Sequence, residues 1–259
     1  MLIVSAHAAD FVWRAGGVIC LHTSNGGKAT VVSLSYGENG ESGDLWREPG
    51  QTVEGVKSHR HAEALAASTA LGAEFIPLDL GDYPLEVSGE SLQKLASIYV
   101  EKKPDVVLIH AAEDPFNPDH PVASFAAQKA RLLATGAGGV PASFRTIPPP
   151  VMYAFEPHQP DLCSFKPDTF VDVTNVWEIK TEAMSSMAAQ SYLQDHYKHR
   201  AEQRAFQSRY AGFGKETKYV EAFQRLTPEK RSYLRGSSGR KINSGFSVVL
   251  PKPVIYKSS

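Results

Sequence analysis

The stretch MLIVSAHAADFVWRAGG, residues 1–17, sets the fold prediction for this chain. Its first six residues form an apolar run typical of a buried strand, and the residues after position 10 have the pattern of a helix. A histidine and an aspartate, His7 and Asp10, lie in the short turn between the two elements. A strand followed closely by a helix is the first half of a βαβ unit, which predicts a parallel sheet.

The same alternation of apolar runs and helical patterns continues through the N-terminal half. We predict strands at 1–6, 29–35, 73–79, 105–110 and 151–156, and helices at about 10–25, 53–71, 89–102 and 119–135. This order predicts an α/β fold, a Rossmann-like and mostly parallel sheet with helices on both faces. Ligands of open α/β sheets bind outside the carboxyl ends of the strands, so the site is expected in the strand-to-helix loops.

Length and composition favour an ordinary enzyme-sized protein. The 259 residues fit one domain over 1–259, and the basic stretch from about 226 onward is expected to form a C-terminal extension. A net charge of −1 gives no sign of nucleic-acid binding. No apolar run reaches the roughly 18 residues of a membrane helix, so we expect a cytoplasmic protein. Cys20 and Cys163 lack metal-type spacing and are expected to be free thiols.

The loop after the fourth predicted strand holds a second candidate ligand. It reads AAEDPFNPDHPVAS and brings His120 to the start of the next helix. His7, Asp10 and His120 then offer two imidazoles and one carboxylate at the same edge of the sheet. This set matches a catalytic zinc site with an open position, and it also matches the face of ligands that binds Fe(II). Ligand type alone leaves the metal undecided.

These residues carry a resemblance to a known family. SAHAAD, the following AGG and the later NPDH are similar to the LmbE/PIG-L family of zinc-dependent de-N-acetylases, whose usual pattern is A-H-P-D-D-E with GG and then H-P-D-H. SLSYGENGES, RHAEALAASTALGA, LGDYPL and FVDVTNVWEIKTEAMSSMAAQS extend the similarity over roughly residues 1–200. The resemblance implies that His7, Asp10 and His120 bind the metal.

Two departures from the family pattern bear on function. Ala9 occupies the position of the family's general base, and Asn117 occupies that of its electrostatic or general-acid partner. Amide hydrolysis needs both a base and an acid, so a different reaction at the same metal is expected. The pattern resembles a hydratase branch of the family, which implies addition of water to a C=C bond of an unsaturated tricarboxylate in gallate or protocatechuate catabolism. A zinc-dependent N-acyl deacetylase and a non-catalytic ligand-binding relative remain alternatives.

A hydratase needs its base and acid from other loops. We predict Glu48, in GDLWREPGQ, as the residue that positions or deprotonates water, with Glu38 and Glu41 as competitors. His158, in FEPHQPD, is the predicted acid because an imidazole transfers protons readily near neutral pH. The remaining histidines considered are expected on solvated helix faces or, for the one that ends a strand, in the core: His59, His61, His196, His199 and His110.

The implied substrate is a small molecule with three carboxylates, which must be neutralised locally. Arginine binds a carboxylate through two parallel hydrogen bonds, so Arg14, Arg47 and Arg60 are predicted to bind substrate, together with Asn117. Neither a nucleic acid nor a membrane is an expected partner. The sequence is compatible with a homo-oligomer and leaves the number of subunits open.

Overall fold

A seven-stranded sheet runs through the part of the chain that this computed structural model describes, residues 1–139 and 145–228. The strands are β1 Leu2–Ser5, β2 Thr30–Ser33, β3 Glu74–Pro77, β4 Val106–Ile109, β5 Val151–Phe155, β6 Thr169–Asp172 and β7 Val220–Arg225. Their order across the sheet is β3-β2-β1-β4-β5-β7-β6. The first five strands pair in parallel, whereas β7 is antiparallel to both of its neighbours.

Helices cover both faces of this sheet. Their bounds are α1 Asp10–Ser24, α2 Gly43–Trp46, α3 Val53–Ala70, α4 Gly89–Lys102, α5 Asp119–Thr135, α6 Trp177–Ser185 and α7 Leu193–Ser208. One apolar layer packs α1 with α3, α6 and α7, and a second layer packs α4 with α5. The predicted α/β class and its covered parallel sheet are therefore confirmed.

Strand order decides where loops meet. The chain runs outward from β1 through β2 to β3 and then returns to place β4 on the other side of β1. The loops that follow β1 and β4 consequently leave the sheet side by side, at the switch point where α/β proteins bind ligands. His7 lies in the first of these loops and His120 just after the second, which explains how residues 113 positions apart come together.

The antiparallel strand β7 was not expected from the sequence. It inserts between β5 and β6, and its Glu221 accepts hydrogen bonds from the backbone amides of Gly17 and Val18 at 2.8 Å each. Lys180 of α6 pairs with the same carboxylate at 2.7 Å, so this buried charge has a partner. Strand β7 thus links α6 to α1, the helix that begins at the candidate site.

Met1–Pro228 form one compact unit. Most of the predicted basic extension, residues 229–259, lies outside the described residues. In the described part, no helix is both long and apolar enough to cross a membrane. Cys20 and Cys163 are buried and unpaired, as expected.

The glycine pair of the first motif predicts a stability difference. A Cβ on Gly17 would lie 2.8 Å from Val173 and 2.9 Å from Glu221, whereas a Cβ on Gly16 would meet nothing closer than 3.4 Å. Overpacking of this kind typically costs about 1–3 kcal/mol, so Gly17→Ala should lower the free energy of unfolding by that amount. The matched control Gly16→Ala should be neutral or stabilising, since alanine favours a helix over glycine by up to about 1 kcal/mol. Urea denaturation measures both, and equal effects would contradict this reading.

Candidate metal centre

The turn after β1 buries the first two candidate ligands. His7 is 0% exposed and Asp10, the first residue of α1, is 2% exposed. The backbone amide of His7 donates to Asp10 Oδ2 at 2.8 Å, which closes the turn and holds the carboxylate close to the imidazole. Asp10 also lies where the helix dipole favours a negative charge.

The loop after β4 positions the third candidate ligand. Helix α5 begins at Asp119, with Pro118 before it, and His120 is 2% exposed in its first turn. The side-chain oxygen of Asn117 accepts the backbone amide of Asp119 at 3.2 Å, so the asparagine organises the entry into the helix. The imidazole of His120 consequently points back toward the β1 turn, with its ring centroid 5.4 Å from that of His7.

Four side chains converge at one point. One ligand atom from each of His7, Asp10, Glu41 and His120 lies within 4.8 Å of all the others. Glu41 Oε1 is 3.2 Å from His7 Nδ1 and 3.9 Å from His120 Nε2. Asp10 is 3.5 Å from each of the same two nitrogens. The structure therefore brings together the three ligands predicted from sequence and adds a second carboxylate.

Two further carboxylates orient the imidazoles. His7 Nε2 donates to Asp119 at 3.2 Å, and His120 Nδ1 donates to Asp114 at 2.8 Å. In the neutral ring, each contact places the proton on one nitrogen and leaves a lone pair on the other. Those other atoms, His7 Nδ1 and His120 Nε2, are buried without a hydrogen-bond partner among the described residues. Two buried lone pairs facing two carboxylates fit a divalent cation.

A second possible cluster, His7 with Asp82 and Asp119, fits a cation less well. Asp119 accepts His7 Nε2 and the backbone amides of Tyr83 and Leu85. Asp82 accepts the backbone amides of Asn39 and Gly40. Because both carboxylates already receive several donors, this cluster acts as a support for the loops around the first one.

The cluster of His7, Asp10, Glu41 and His120 carries excess negative charge from its two carboxylates. Burial would lower the pKa of His7, but the facing carboxylates of Glu41, Asp10 and Asp119 outweigh it and raise that pKa well above its ordinary value. Burial opposes ionisation of Glu41 as well, yet His7 lowers the pKa of its carboxyl group. The pKa of the Asp10 carboxyl group is also lowered, so Asp10 and Glu41 are both ionised at neutral pH. A cation between them would relieve the repulsion of the two carboxylates.

His110, the residue directly after β4, lies behind His120. The two rings stack with centroids 4.1 Å apart. The amide of Ala6 donates to His110 Nε2 at 2.9 Å, and burial lowers the pKa of this histidine to about 3, so it is neutral. Because that nitrogen lone pair is already used, His110 supports a ligand ring and is not itself a free ligand atom.

A cleft of about 320 Å³ opens over the cluster, which suits a small molecule. Its walls include Asp10, Glu41 and His120, the aromatic residues Tyr83 and Tyr197, and the predicted residues Arg14, Asn117 and His158. The cleft collects residues from loops that follow several different strands, as expected for this edge of the sheet.

The structure separates the competing glutamates. Glu41, 13% exposed, accepts a hydrogen bond from the Asn117 amide at 3.2 Å within the cluster. Glu48 follows the short helix α2, is exposed, and does not line the cleft. The reason is local, because α2 buries Leu45 against the protein and turns the residues after it toward solvent. The preference for Glu48 over Glu41 is therefore not supported by the geometry.

The three predicted arginines have different surroundings. Arg14 is 8% exposed and lines the cleft, and its Nε and Nη1 have no hydrogen-bond partner in the described chain. Arg47 is 81% exposed and pairs with Asp44 at the surface. Arg60 is fully buried in α3, where Glu63 and Gln190 take its guanidinium hydrogens. Only Arg14 among the three presents free donors to the cleft.

His158 lines the cleft and stacks on His196, with ring centroids 4.1 Å apart. Burial, followed by the positive charges of Arg14 and Arg200, lowers the pKa of His158 below its ordinary value. Burial likewise lowers the pKa of His196 to about 4. The expectation of a solvated His196 is wrong, because α7 packs beside the cleft and turns this ring inward.

Several site residues escaped the sequence prediction. Asp114, Asp119 and Tyr83 lie in EDPFNPDH and LGDYPL, but residue type and spacing assign no role to these three positions. Ala9, at the position of the family's general base, is 0% exposed, belongs to the apolar core and does not line the cleft. A carboxylate that orients a ligand gives no separate sequence signal, although its place beside a ligand histidine is suggestive.

Comparison with known proteins defines the class. The family model described as "PIG-L: GlcNAc-PI de-N-acetylase" matches residues 2–131, and the chain belongs to this family. N,N'-diacetylchitobiose deacetylase from Pyrococcus horikoshii has the same fold, with a TM-score of 0.72 and 19% identity over 87% of this chain and 82% of that one. At this identity the likeness concerns the fold alone.

Two comparisons are much more specific. The chain is 48% identical, over 80% of its length and 80% of the relative's, to a 4-oxalmesaconate hydratase of Pseudomonas putida KT2440. It also resembles the crystal structure of GalB, the 4-carboxy-2-hydroxymuconate hydratase from the same strain, with a TM-score of 0.87 and 44% identity. That match covers 90% of this chain and 98% of the solved one.

The ligand geometry predicts the effect of removing one imidazole. His120→Ala should lose most of any bound divalent metal, because it deletes a lone pair that faces two carboxylates. His199→Ala, a change at an exposed histidine of α7, is the matched control and should keep its metal. Elemental analysis of the two purified variants measures the difference. Full occupancy in His120→Ala would remove this residue from the ligand set.

Proposed function

We propose that this protein is a hydratase that adds water to a C=C bond of 4-oxalomesaconate, or its tautomer 4-carboxy-2-hydroxymuconate, to give 4-carboxy-4-hydroxy-2-oxoadipate. The observation that carries the proposal is the 48% identity to a relative named 4-oxalmesaconate hydratase over four-fifths of both chains. The reaction would serve breakdown of gallate or protocatechuate after ring cleavage. A cytoplasmic location stays a prediction.

The site itself favours hydration over deacetylation. A deacetylase of this family needs a carboxylate at position 9 and an imidazole at position 117, and this chain has Ala9 and Asn117. Ala9 lies in the apolar core and cannot take a proton. Asn117 donates and accepts hydrogen bonds but does not titrate. Hydration expels no amine, so it does not require that pair of groups.

We infer that His7, Asp10 and His120 hold a zinc ion, with Fe(II) as the alternative of similar ligand preference. Asp119 and Asp114 keep the two imidazoles in the tautomers that this role needs. A divalent ion there would supply Lewis acidity that makes a water molecule easier to deprotonate at neutral pH. Orientation by carboxylates of this kind typically contributes 10- to 100-fold to metal affinity, in order of magnitude.

Glu41 is our candidate for the general base. Its carboxylate lies beside the metal cluster at the floor of the cleft, and the lowered pKa of its carboxyl group keeps it ready to accept a proton. The Asn117 amide holds one of its oxygens, which orients the group. As the oxygen of water bonds to one alkene carbon, Glu41 takes a proton and the π electron pair moves to the neighbouring carbon.

His158 is our candidate for the acid that protonates that neighbouring carbon. Its lowered pKa leaves the imidazole neutral at pH 7 in the free protein. A bound tricarboxylate would bring several negative charges close to the ring, and nearby opposite charges favour the protonated form. The proton needed for the new C–H bond is therefore taken up together with the substrate. The sequence predicted an acid that transfers protons readily near neutral pH, whereas the lowered pKa of His158 means that its protonation depends on the bound substrate.

Arg14 is our candidate for binding a substrate carboxylate. It is buried beside the cleft, and two of its nitrogens have no partner among the described residues. A buried guanidinium with unpaired donors is costly, and a carboxylate would satisfy it with two parallel hydrogen bonds. Asn117 contributes a further polar group to the same cleft.

The proposed reaction can be tested directly. The ring-cleavage product of gallate, incubated with the purified protein, should lose the absorbance of its conjugated system, and a chelator should abolish the activity until zinc is returned. An N-acetylglucosamine substrate assayed for acetate release is the matched alternative. Amide cleavage without hydration would support a deacetylase, and inactivity on both substrates with metal bound would support a non-catalytic relative.

Two variants distinguish Glu41 from Glu48 as the general base. Glu41→Gln should reduce kcat by roughly 10²–10⁴-fold, the usual contribution of a general base, whereas Glu48→Gln should leave it unchanged because residue 48 is outside the cleft. The reverse result would restore Glu48 as the base.

His158→Gln, in the same hydration assay and with unchanged metal content, is expected to lose kcat by a similar factor. Full activity in that variant would remove His158 from the proton transfer.

Arg14→Gln should raise KM for the tricarboxylate more than it lowers kcat. Loss of one charge-assisted carboxylate contact typically weakens binding by about 1.5–3 kcal/mol, which corresponds to roughly 10- to 150-fold. Arg47→Gln, a change at the 81% exposed surface arginine, is the matched control and should keep the KM of the unmodified protein. Steady-state kinetics of hydration measure both values. Equal KM in the two variants would exclude Arg14 from substrate binding.

A further inference from the structure

Tyr83 lines the cleft but takes no part in the proton transfers proposed for Glu41 and His158. It belongs to LGDYPL, in the loop after β3, and its side chain is 43% exposed. It lines the same cleft as Glu41, His120 and His158. Its ring centroid is 6.0 Å from that of His7, so the phenol lies near the metal cluster.

Two contacts hold the ring in this place. A Cβ on Gly40 would lie 2.0 Å from the Tyr83 ring, so the ring packs directly on the backbone of the loop that carries Glu41. The backbone amide of Tyr83 donates to Asp119 Oδ2 at 3.0 Å, and the same oxygen accepts His7 Nε2. The position of the phenol is thus coupled to the base on one side and to a candidate metal ligand on the other.

The backbone of Tyr83 also has an unusual conformation. Its φ of +48° lies in the left-handed region, which residues other than glycine rarely adopt. Such positions persist only where the surrounding contacts require them, and they concentrate at functional sites. Here the requirement is the hydrogen bond to Asp119 combined with the packing on Gly40.

The hydroxyl group itself is free to act on a ligand. It has no hydrogen-bond partner among the described residues, and it belongs to a residue that faces the cleft. Burial, reinforced by the negative charge of Glu41, raises the pKa of Tyr83 to about 12. The phenol therefore keeps its proton at neutral pH and is available as a donor.

The hydration chemistry needs a donor of this kind. When the oxygen of water bonds to one alkene carbon, the π electrons move onto the neighbouring carbon and into the carboxylate conjugated with it. That carboxylate gains negative charge until a proton reaches the carbon. Hydrogen bonds aimed at oxygen atoms where charge develops are among the largest contributions to enzyme rates.

We propose that Tyr83 is a further catalytic residue, whose phenolic hydroxyl donates a hydrogen bond to the substrate carboxylate that is conjugated with the reacting double bond. The inference rests on the proposed hydratase function. It differs from the role of Arg14, which binds a carboxylate in the ground state through its permanent charge. The Tyr83 interaction strengthens as charge develops and so acts on kcat.

The test is Tyr83→Phe, which keeps the ring against Gly40 and removes only the hydroxyl. Hydration of the ring-cleavage product should proceed with kcat lowered by about 10²-fold, as when one oxyanion donor is removed, while KM changes little. Bound metal and the midpoint of thermal unfolding should equal those of the unmodified protein. Tyr210→Phe, which removes a hydroxyl from a residue that is 95% exposed and outside the cleft, is the control and should leave kcat unchanged.

The outcomes separate this inference from the function on which it rests. An unmodified protein that does not hydrate the substrate contradicts the proposed function, and the role of Tyr83 falls with it. An active unmodified protein with equal kcat in Tyr83→Phe overturns only the role of Tyr83. A rise in KM alone, or loss of metal in Tyr83→Phe, overturns it as well, because the hydroxyl would then act in ground-state binding or in the metal site.

Discussion

The orientation of two buried imidazoles is the constraint on which the site depends. His7 and His120 each direct one nitrogen to a carboxylate, so that the second nitrogen of each ring faces the other's across a gap lined by Asp10 and Glu41. Buried lone pairs and buried negative charges are unfavourable unless a cation or a proton satisfies them. The loops after β1 and β4 therefore cannot be altered independently of each other.

The fold meets this constraint through strand order. The two loops are adjacent because β4 returns to the side of β1, and helices α1 and α5 begin directly at Asp10 and Asp119. Glu41 and Tyr83 come from the loops after β2 and β3, at the same edge. His158 and Arg14 complete the cleft lining, together with Leu193 and Tyr197 of α7. The cleft is therefore lined mainly by residues of the strand-to-helix loops, which the sheet holds at one edge.

Local patterns were sufficient for the first five strands and their helices. The predicted helix at 53–71 and the observed Val53–Ala70 differ by a single residue at one end, because periodicity and capping are local properties. Strand β7 lacked such a signal, since its antiparallel pairing joins it to residues that are distant in the sequence. The sequence could not place Glu41 rather than Glu48 in the cleft, for a related reason. Both belong to one polar loop, and only the burial of Leu45 decides which of them faces the cluster.

The sequence by itself determined the α/β class, the family motif and the pair of absent acid–base groups at Ala9 and Asn117, because each depends on residue type and local spacing. Tertiary structure alone decided which loop carboxylate joins His7, Asp10 and His120, which arginine keeps free donors and where Tyr83 and His196 lie. The physical reason is that burial and hydrogen-bond partners arise from segments far apart in the chain. Arg60, buried against Glu63 and Gln190, and Arg14, buried with unpaired nitrogens, are the same residue type with different partners.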